Sequence, residues 1–133
     1  MSFIPENKEI KTIAQAREMN PLVLAYIGDA VHSLYSRMKY ASSTTLKAHK
    51  LHLKVSDEVK AKAQSKRILA LLDTLTEEEK GIFLRARNSH VNNVAKNASV
   101  TEYLEATGFE AVVGFLYITG QQDRLKEILD NNE

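Results

Sequence analysis

Two long apolar stretches, each holding a single acid, constrain this 133-residue chain more than any other feature. Between Met19 and Ser36 it reads MNPLVLAYIGDAVHSLYS, and Asp29 is the only formally charged residue there. Between Ala106 and Gly120 it reads ATGFEAVVGFLYITG, and Glu110 stands equally alone. Each acid falls in the middle of an apolar helix. Burying a lone carboxylate costs several kcal/mol, roughly, unless a cation or hydrogen-bond donors meet it. Three readings follow: a buried ion pair, a helix edge that faces water, or one shared site for a cation. Gly28 and Ala30 beside the first acid, and Gly108 and Ala111 near the second, leave room for close helix approach or for a bulky ligand.

Breakers are few, with two prolines and five glycines. Asn20-Pro21 reads as a helix start, Asn as cap and Pro at the first helical position. The helix should run from Leu22 to Tyr40. Ser42 to Thr45 should turn, with a hydroxyl capping the next helix. Leu46 to Leu72 reads as helix, with a break expected near Ser56-Asp57. Thr76-x-x-Glu79 and Ser99-x-x-Glu102 are capping boxes. The first opens a helix to about Arg87 and the second one to Ile118, ended by Thr119-Gly120. Residues 88–98 are Asn-rich and read as a loop, and Gln122 to Asp130 as a last helix. No period-two segment or hairpin dipeptide argues for strands. The expectation is one all-α domain over 1–133, its core about 20–120, with six to seven helices.

A formal net charge of +1 looks unsuited to a polyanion. The total conceals a pattern, because residues 37–67 carry +7 and residues 80–100 carry +4, offset by acidic segments elsewhere. Two basic blocks form a polyanion surface if the fold joins them, and solvated helix faces if it does not. Absence of Cys excludes disulfides, a thiol nucleophile and Cys-ligated zinc. His32, His49, His52 and His90 are scattered, and His49 and His52 have no third ligand near them in sequence. No Gly-rich phosphate loop or G-x-S-x-G occurs. No signal peptide or membrane span is visible, so a cytoplasmic protein without a membrane role is expected.

The chemistry therefore rests on oxygen ligands and bases. Asp29 and Glu110 suit Mg²⁺, with Mn²⁺ as the alternative, rather than zinc. Lys60, Lys62 and Gln64 open one helical segment, Arg85, Arg87 and Asn88 close the next, and Lys96-Asn97 ends the Asn-rich loop. Lys and Arg neutralise phosphates, and Asn and Gln bond sugars or base edges. These eight are the expected nucleic-acid-binding residues. A purely structural role for Arg85 and Arg87 is the competing reading, since a cation at a helix C-terminus is favourable without any ligand.

Leu24-Ala25-Tyr26-Ile27-Gly28-Asp29-Ala30-Val31 resembles the signature helix of the ribonuclease III catalytic domain. Phe109-Glu110-Ala111-Val112-Val113-Gly114 resembles its second acidic motif. Val59-Lys60-Ala61-Lys62-Ala63-Gln64, Arg85-Ala86-Arg87-Asn88 and Lys96-Asn97 complete five pieces in family order across about residues 20–120. They are similar to the Mini-ribonuclease III group, which lacks the double-stranded-RNA-binding domain. Full-length ribonuclease III carries further acids, where this chain has Ala25 and Thr107. The resemblance implies Mg²⁺-dependent hydrolysis of double-stranded RNA by a homodimer, with Asp29 and Glu110 as catalytic metal anchors. It implies precursor 23S ribosomal RNA as substrate, and a ribosomal protein as a further candidate partner. The rival functions are a non-catalytic duplex-RNA-binding module on the same fold, and a helical interaction module whose acids pair with buried bases.

Overall fold

A computed structural model describes residues 11–43, 47–89 and 98–130. Its elements are α1 (Ile13–Arg17), α2 (Pro21–Ser43), α3 (Ala48–Val59), α4 (Ala61–Leu71), a 3-10 turn (Leu72–Thr74), α5 (Glu77–Arg87), α6 (Ala98–Ile118) and α7 (Gln122–Asp130). The described residues hold seven α-helices and no strand, as the all-α expectation required.

The caps explain the boundaries. Asn20 Oδ1 accepts from the Leu22 amide at 2.8 Å, so α2 begins at Pro21. Thr76 and Glu79 close both bonds of a capping box before α5. Gly120, at φ 73°, ends α6, with its amide on the Tyr117 carbonyl and the Gln121 amide on that of Leu116. This is a Schellman end, where glycine alone avoids a Cβ penalty.

Three expectations need correction. The break between α3 and α4 lies at Lys60, whose extended ψ of 157° serves both helix ends, and not at Ser56-Asp57. The cap of α3 is Lys47, without a side-chain bond, rather than a hydroxyl of the preceding turn. Helix α6 begins at Ala98, so Ser99 lies inside it and not ahead of it. Helix α1 was not expected, although Thr12-x-x-Gln15 forms a complete capping box. Most of the 88–98 segment lies outside the described residues.

Helix α6 is the hub, packed against α2, α4, α5 and α7. From Ala106 to Leu116 only Glu110 escapes full burial, as suits a central helix that is apolar on every side. Close approach to α2 depends on two glycines. A Cβ on Gly28 would run into the Glu110 carbonyl, and one on Gly114 into the Leu24 carbonyl. Gly108 is crowded by the Phe83 ring of α5. Gly28 and Gly108, the glycines near the acids, thus serve helix contact.

Candidate active site

The α2–α6 crossing sets the site. Gly28 lies against the Glu110 backbone, which brings Asp29 and the Glu110 side chain together on one flank. Both acids line an open cleft of about 290 Å³ with Leu22, Ala25, Tyr26, Tyr103 and Thr107. The expected burial is only partly realised, since Asp29 is exposed and Glu110 half-buried. Of the three readings open from sequence, the geometry realises a helix edge for Asp29 and one shared cleft for both acids.

The pair is electrostatically frustrated. Burial, then a hydrogen bond with Asp29 and the charge of Asp29, pushes Glu110 up to about 8. Two carboxyls so close compete for one proton when nothing cationic stands between them. The Gln64 amide acts in the other direction, donating to Glu110 and favouring its ionised form. Thr107, one turn before Glu110, spends its hydroxyl on the Tyr103 carbonyl at 3.0 Å.

Behind the cleft lies a buried polar pair. Gln64 on α4 and His32 on α2 are 2% and 1% exposed, and Gln64 Nε2 sits 2.9 Å from His32 Nδ1. Desolvation pulls His32 down to about 4, so the ring is neutral at ordinary pH. Its edge meets Phe109 at 5.3 Å between centroids. Its Nε2 has no hydrogen-bond partner among the described residues. An orphaned buried polar group of this kind costs about 1–3 kcal/mol. Sequence reasoning passed over His32. The one available signal was its position three residues after Asp29, on the same helix.

The expected RNA-binding residues divide by location. Lys60 and Lys62 are exposed at the start of α4, and the Lys60 carbonyl accepts from the backbone N–H of Gln64. Lys60 Nζ lies 3.5 Å from Asp57. Gln64 is buried beside Glu110, a position that supports the acids instead of facing bulk solvent. Arg85 donates to the Arg17 carbonyl at 2.6 Å and the Met19 carbonyl at 3.3 Å, tying α5 to the end of α1. Arg87 lies over the Phe83 ring, 5.8 Å from its centroid, with Nε 3.4 Å from exposed Asn88. Lys96 and Asn97 lie outside the described residues. A second groove, about 460 Å³, begins at Asp29 and runs along Tyr26, Ile27, Ala30, Val31, Leu34 and Tyr117. Tyr26, which borders both hollows, is 81% exposed.

The ribonuclease III domain family matches residues 22–121, the segment that carries this crossing. The chain belongs to the ribonuclease III family. Within it, the Mini-ribonuclease III group is the match. The Mini-ribonuclease 3 of Thermoanaerobacter sp. (strain X514) is 45% identical over 130 residues, covering 98% of this chain and 91% of the relative. That of Clostridium tetani is 47% identical, covering 85% of this chain and 76% of the relative. A crystal structure of a Fusobacterium nucleatum protein superposes with a TM-score of 0.74 at 33% identity, covering 86% of this chain and 91% of that one. Membership supports an endoribonuclease, and with it RNA as substrate. No helix among the described residues is long and apolar enough to cross a membrane.

Proposed function

We propose that this chain is a divalent-metal-dependent endoribonuclease that cuts double-stranded RNA as a homodimer, in maturation of precursor ribosomal RNA in the cytoplasm. The observation that carries the reading is the convergence of Asp29 and Glu110 on one open cleft, with Glu110 pushed up by burial and by its neighbour.

The donor set fits a hard cation. The acids offer carboxylate oxygens, and no cluster of three His, Cys, Asp or Glu suited to a metal occurs among the described residues. Two protein ligands with water and phosphate completing the shell describe a Mg²⁺ or Mn²⁺ site, not a zinc site. Asp29 and Glu110 would hold that ion, which would supply an activated water and offset charge on the leaving 3′-oxygen. The chain's own part is to fix both carboxyls on a crossing that glycine contact makes stiff. Gln64 partly offsets the burial and the Asp29 neighbour that push Glu110 up, and Lys60 and Lys62 stand ready for backbone phosphates near the same end of α4. Products would carry 5′-phosphate and 3′-hydroxyl ends. The groove beside Tyr26 suits a second copy of the chain, which would set two cleavage sites and two sets of bases along one duplex.

Incubation with a long RNA duplex and Mg²⁺, beside Asp29→Asn and Glu110→Gln, tests the reading. Cleavage by wild type and its loss in both variants is the expected result. An intact duplex across a range of metal and salt, with salt-dependent binding retained, would instead identify a non-catalytic binder. Sedimentation of wild type and Tyr26→Asp tests the dimer. A wild type that is monomeric at micromolar concentration would remove it.

A further inference from the structure

The cleft that holds the two acids has a second chemical character. One face of each helix lines it, with Ala25, Tyr26 and Asp29 from α2 and Tyr103, Thr107 and Glu110 from α6, at helical spacing. Tyr103 is 52% exposed. Among the described residues Tyr26 and Tyr103 are the only exposed Phe or Tyr rings, and both border this cleft. Thr107, between ring and acid on α6, donates its hydroxyl to the Tyr103 carbonyl at 3.0 Å. On α2, Ala25 adds only a methyl. The remaining hydroxyls of the lining are the two phenols, each able to donate and to accept, beside carboxylates that only accept once ionised. Tyr26 also borders the second groove, where another copy of the chain would cover it. That leaves Tyr103 on the substrate side.

Spacing limits what that ring can reach. Glu110 follows Tyr103 by two helical turns on α6, about 10 Å along the axis. Side chains on one helix face lean the same way, so ring and carboxyl stay about that far apart. Successive nucleotides of one strand advance about 3.4 Å along a duplex axis. With a phosphate at the acids, the phenol therefore lies within about three nucleotides of it. In an A-form duplex the bases are stacked inside, and the wide, shallow minor groove displays the ribose 2′-hydroxyls. A phenol at that distance meets a sugar edge rather than a base face. We propose that Tyr103 is a substrate contact of this cleft: its hydroxyl bonds a ribose 2′-hydroxyl within about three nucleotides of the cut phosphate, so the cleft favours RNA over DNA at that position. The inference rests on the reading of Asp29 and Glu110 as the cutting site.

Tyr103→Phe, which keeps the ring and loses the hydroxyl, tests it on the full chain. Tyr103→Leu repeats the comparison should Phe disturb the fold. The probe is a synthetic RNA duplex of fixed sequence, whose cut position is first mapped with wild type and Mg²⁺. Matched duplexes then carry a single 2′-deoxy nucleotide at successive positions within about three of the cut, on either side. On the all-RNA duplex the variant should lose about fivefold in kcat/KM, the scale of one neutral hydrogen bond. One deoxy position should cost wild type a similar factor and cost the variant nothing further. A ring that only packs would not give that non-additivity at a single sugar. The melt, and Mn²⁺ binding counted by electron paramagnetic resonance, should be unchanged, which keeps the loss away from the acids. A variant with wild-type kcat/KM would overturn the proposal. So would one that stays as sensitive as wild type to every deoxy position. A wild type that leaves the all-RNA duplex intact defeats the endoribonuclease reading and this proposal with it. A wild type that cuts, beside an unaffected Tyr103→Phe, defeats this proposal alone.

Discussion

Two kinds of acid sit inside this fold. Glu79, 2% exposed, receives two bonds from Arg124 at 2.8 Å and caps α5 through the Thr76 amide at 3.0 Å. Glu58 accepts from Ser36, Lys39 and Tyr40, at 2.6–3.2 Å. Both are held below the ordinary carboxylate range, because donors and cations outweigh the opposing effect of burial. Glu110 has burial and another acid against it and is pushed up to about 8. The same chain therefore pairs its acids with cations where they staple helices, and sets one beside another acid at the α2–α6 crossing. Strain of that kind, kept against stability, is what a functional site leaves in a structure.

The contrast breaks most sharply under paired substitutions. Glu110→Gln removes the cost of burying an ionisable carboxyl beside Asp29 and should raise Tm by a few degrees. Duplex cleavage should fall by about 10²–10³-fold, the scale on which one preorganised electrostatic group acts. Arg124→Ala should do the reverse. It leaves Glu79 buried without its cation, which should cost about 2–3 kcal/mol, discounted because Arg124 is itself 24% exposed. Cleavage at saturating RNA should stay within about twofold of wild type in the folded fraction. Thermal melts and cleavage assays on both variants check this. A Glu110→Gln chain that loses stability, or an Arg124→Ala chain that keeps it, would erase the distinction.

Gly114→Ala probes how the crossing itself is held. Its Cβ would meet helix backbone, which yields little, so α2 and α6 must separate. Overpacking of this kind costs about 1–3 kcal/mol. Cleavage should fall in the folded fraction as well, because Asp29 and Glu110 lie on opposite sides of the gap. Gly81→Ala on α5, where a Cβ meets nothing, should be neutral or slightly stabilising by both measures.

Acid titration separates the staples further. The folded pKa of Glu79 is below its unfolded value of about 4.5. Its stabilisation is therefore complete above that pH and fades as pH falls through the folded value. The stability gap between wild type and Glu79→Gln should be flat near neutrality and close steadily below about pH 4.5. Chemical denaturation at stepped pH measures it, and a gap that persists to the lowest pH would mean that Arg124 holds Glu79 by geometry alone.

Legibility of the fold followed local chemistry. Asn20-Pro21, Thr76-x-x-Glu79 and Thr119-Gly120 act within one helical turn, and each fixed a boundary where the structure has it. The break at Lys60 carries no Pro, Gly or capping side chain, so nothing local announces it. Asp29 and Glu110 stood out because an acid in an apolar stretch is conspicuous alone. His32 and Gln64 were not visible as a pair, since their contact spans 32 positions and exists only once α2 and α4 both pack on α6. Arg85 shows the same limit, because its carbonyl partners on Arg17 and Met19 are set by tertiary packing.

Arg85 and Lys62 give the finest test, because the sequence grouped them and the structure separates them. Lys62 is exposed on the first turn of α4, two residues from Gln64. Arg85 is engaged in holding the end of α1. Lys62→Ala should weaken duplex binding and lower the slope of log K against log salt by about one phosphate contact, with an unchanged melt. Arg85→Ala should lower Tm by a few degrees through the lost carbonyl bonds and leave the salt slope alone. If both variants flatten the slope equally, Arg85 reaches phosphate in spite of its carbonyl contacts, and the two basic blocks act as one surface.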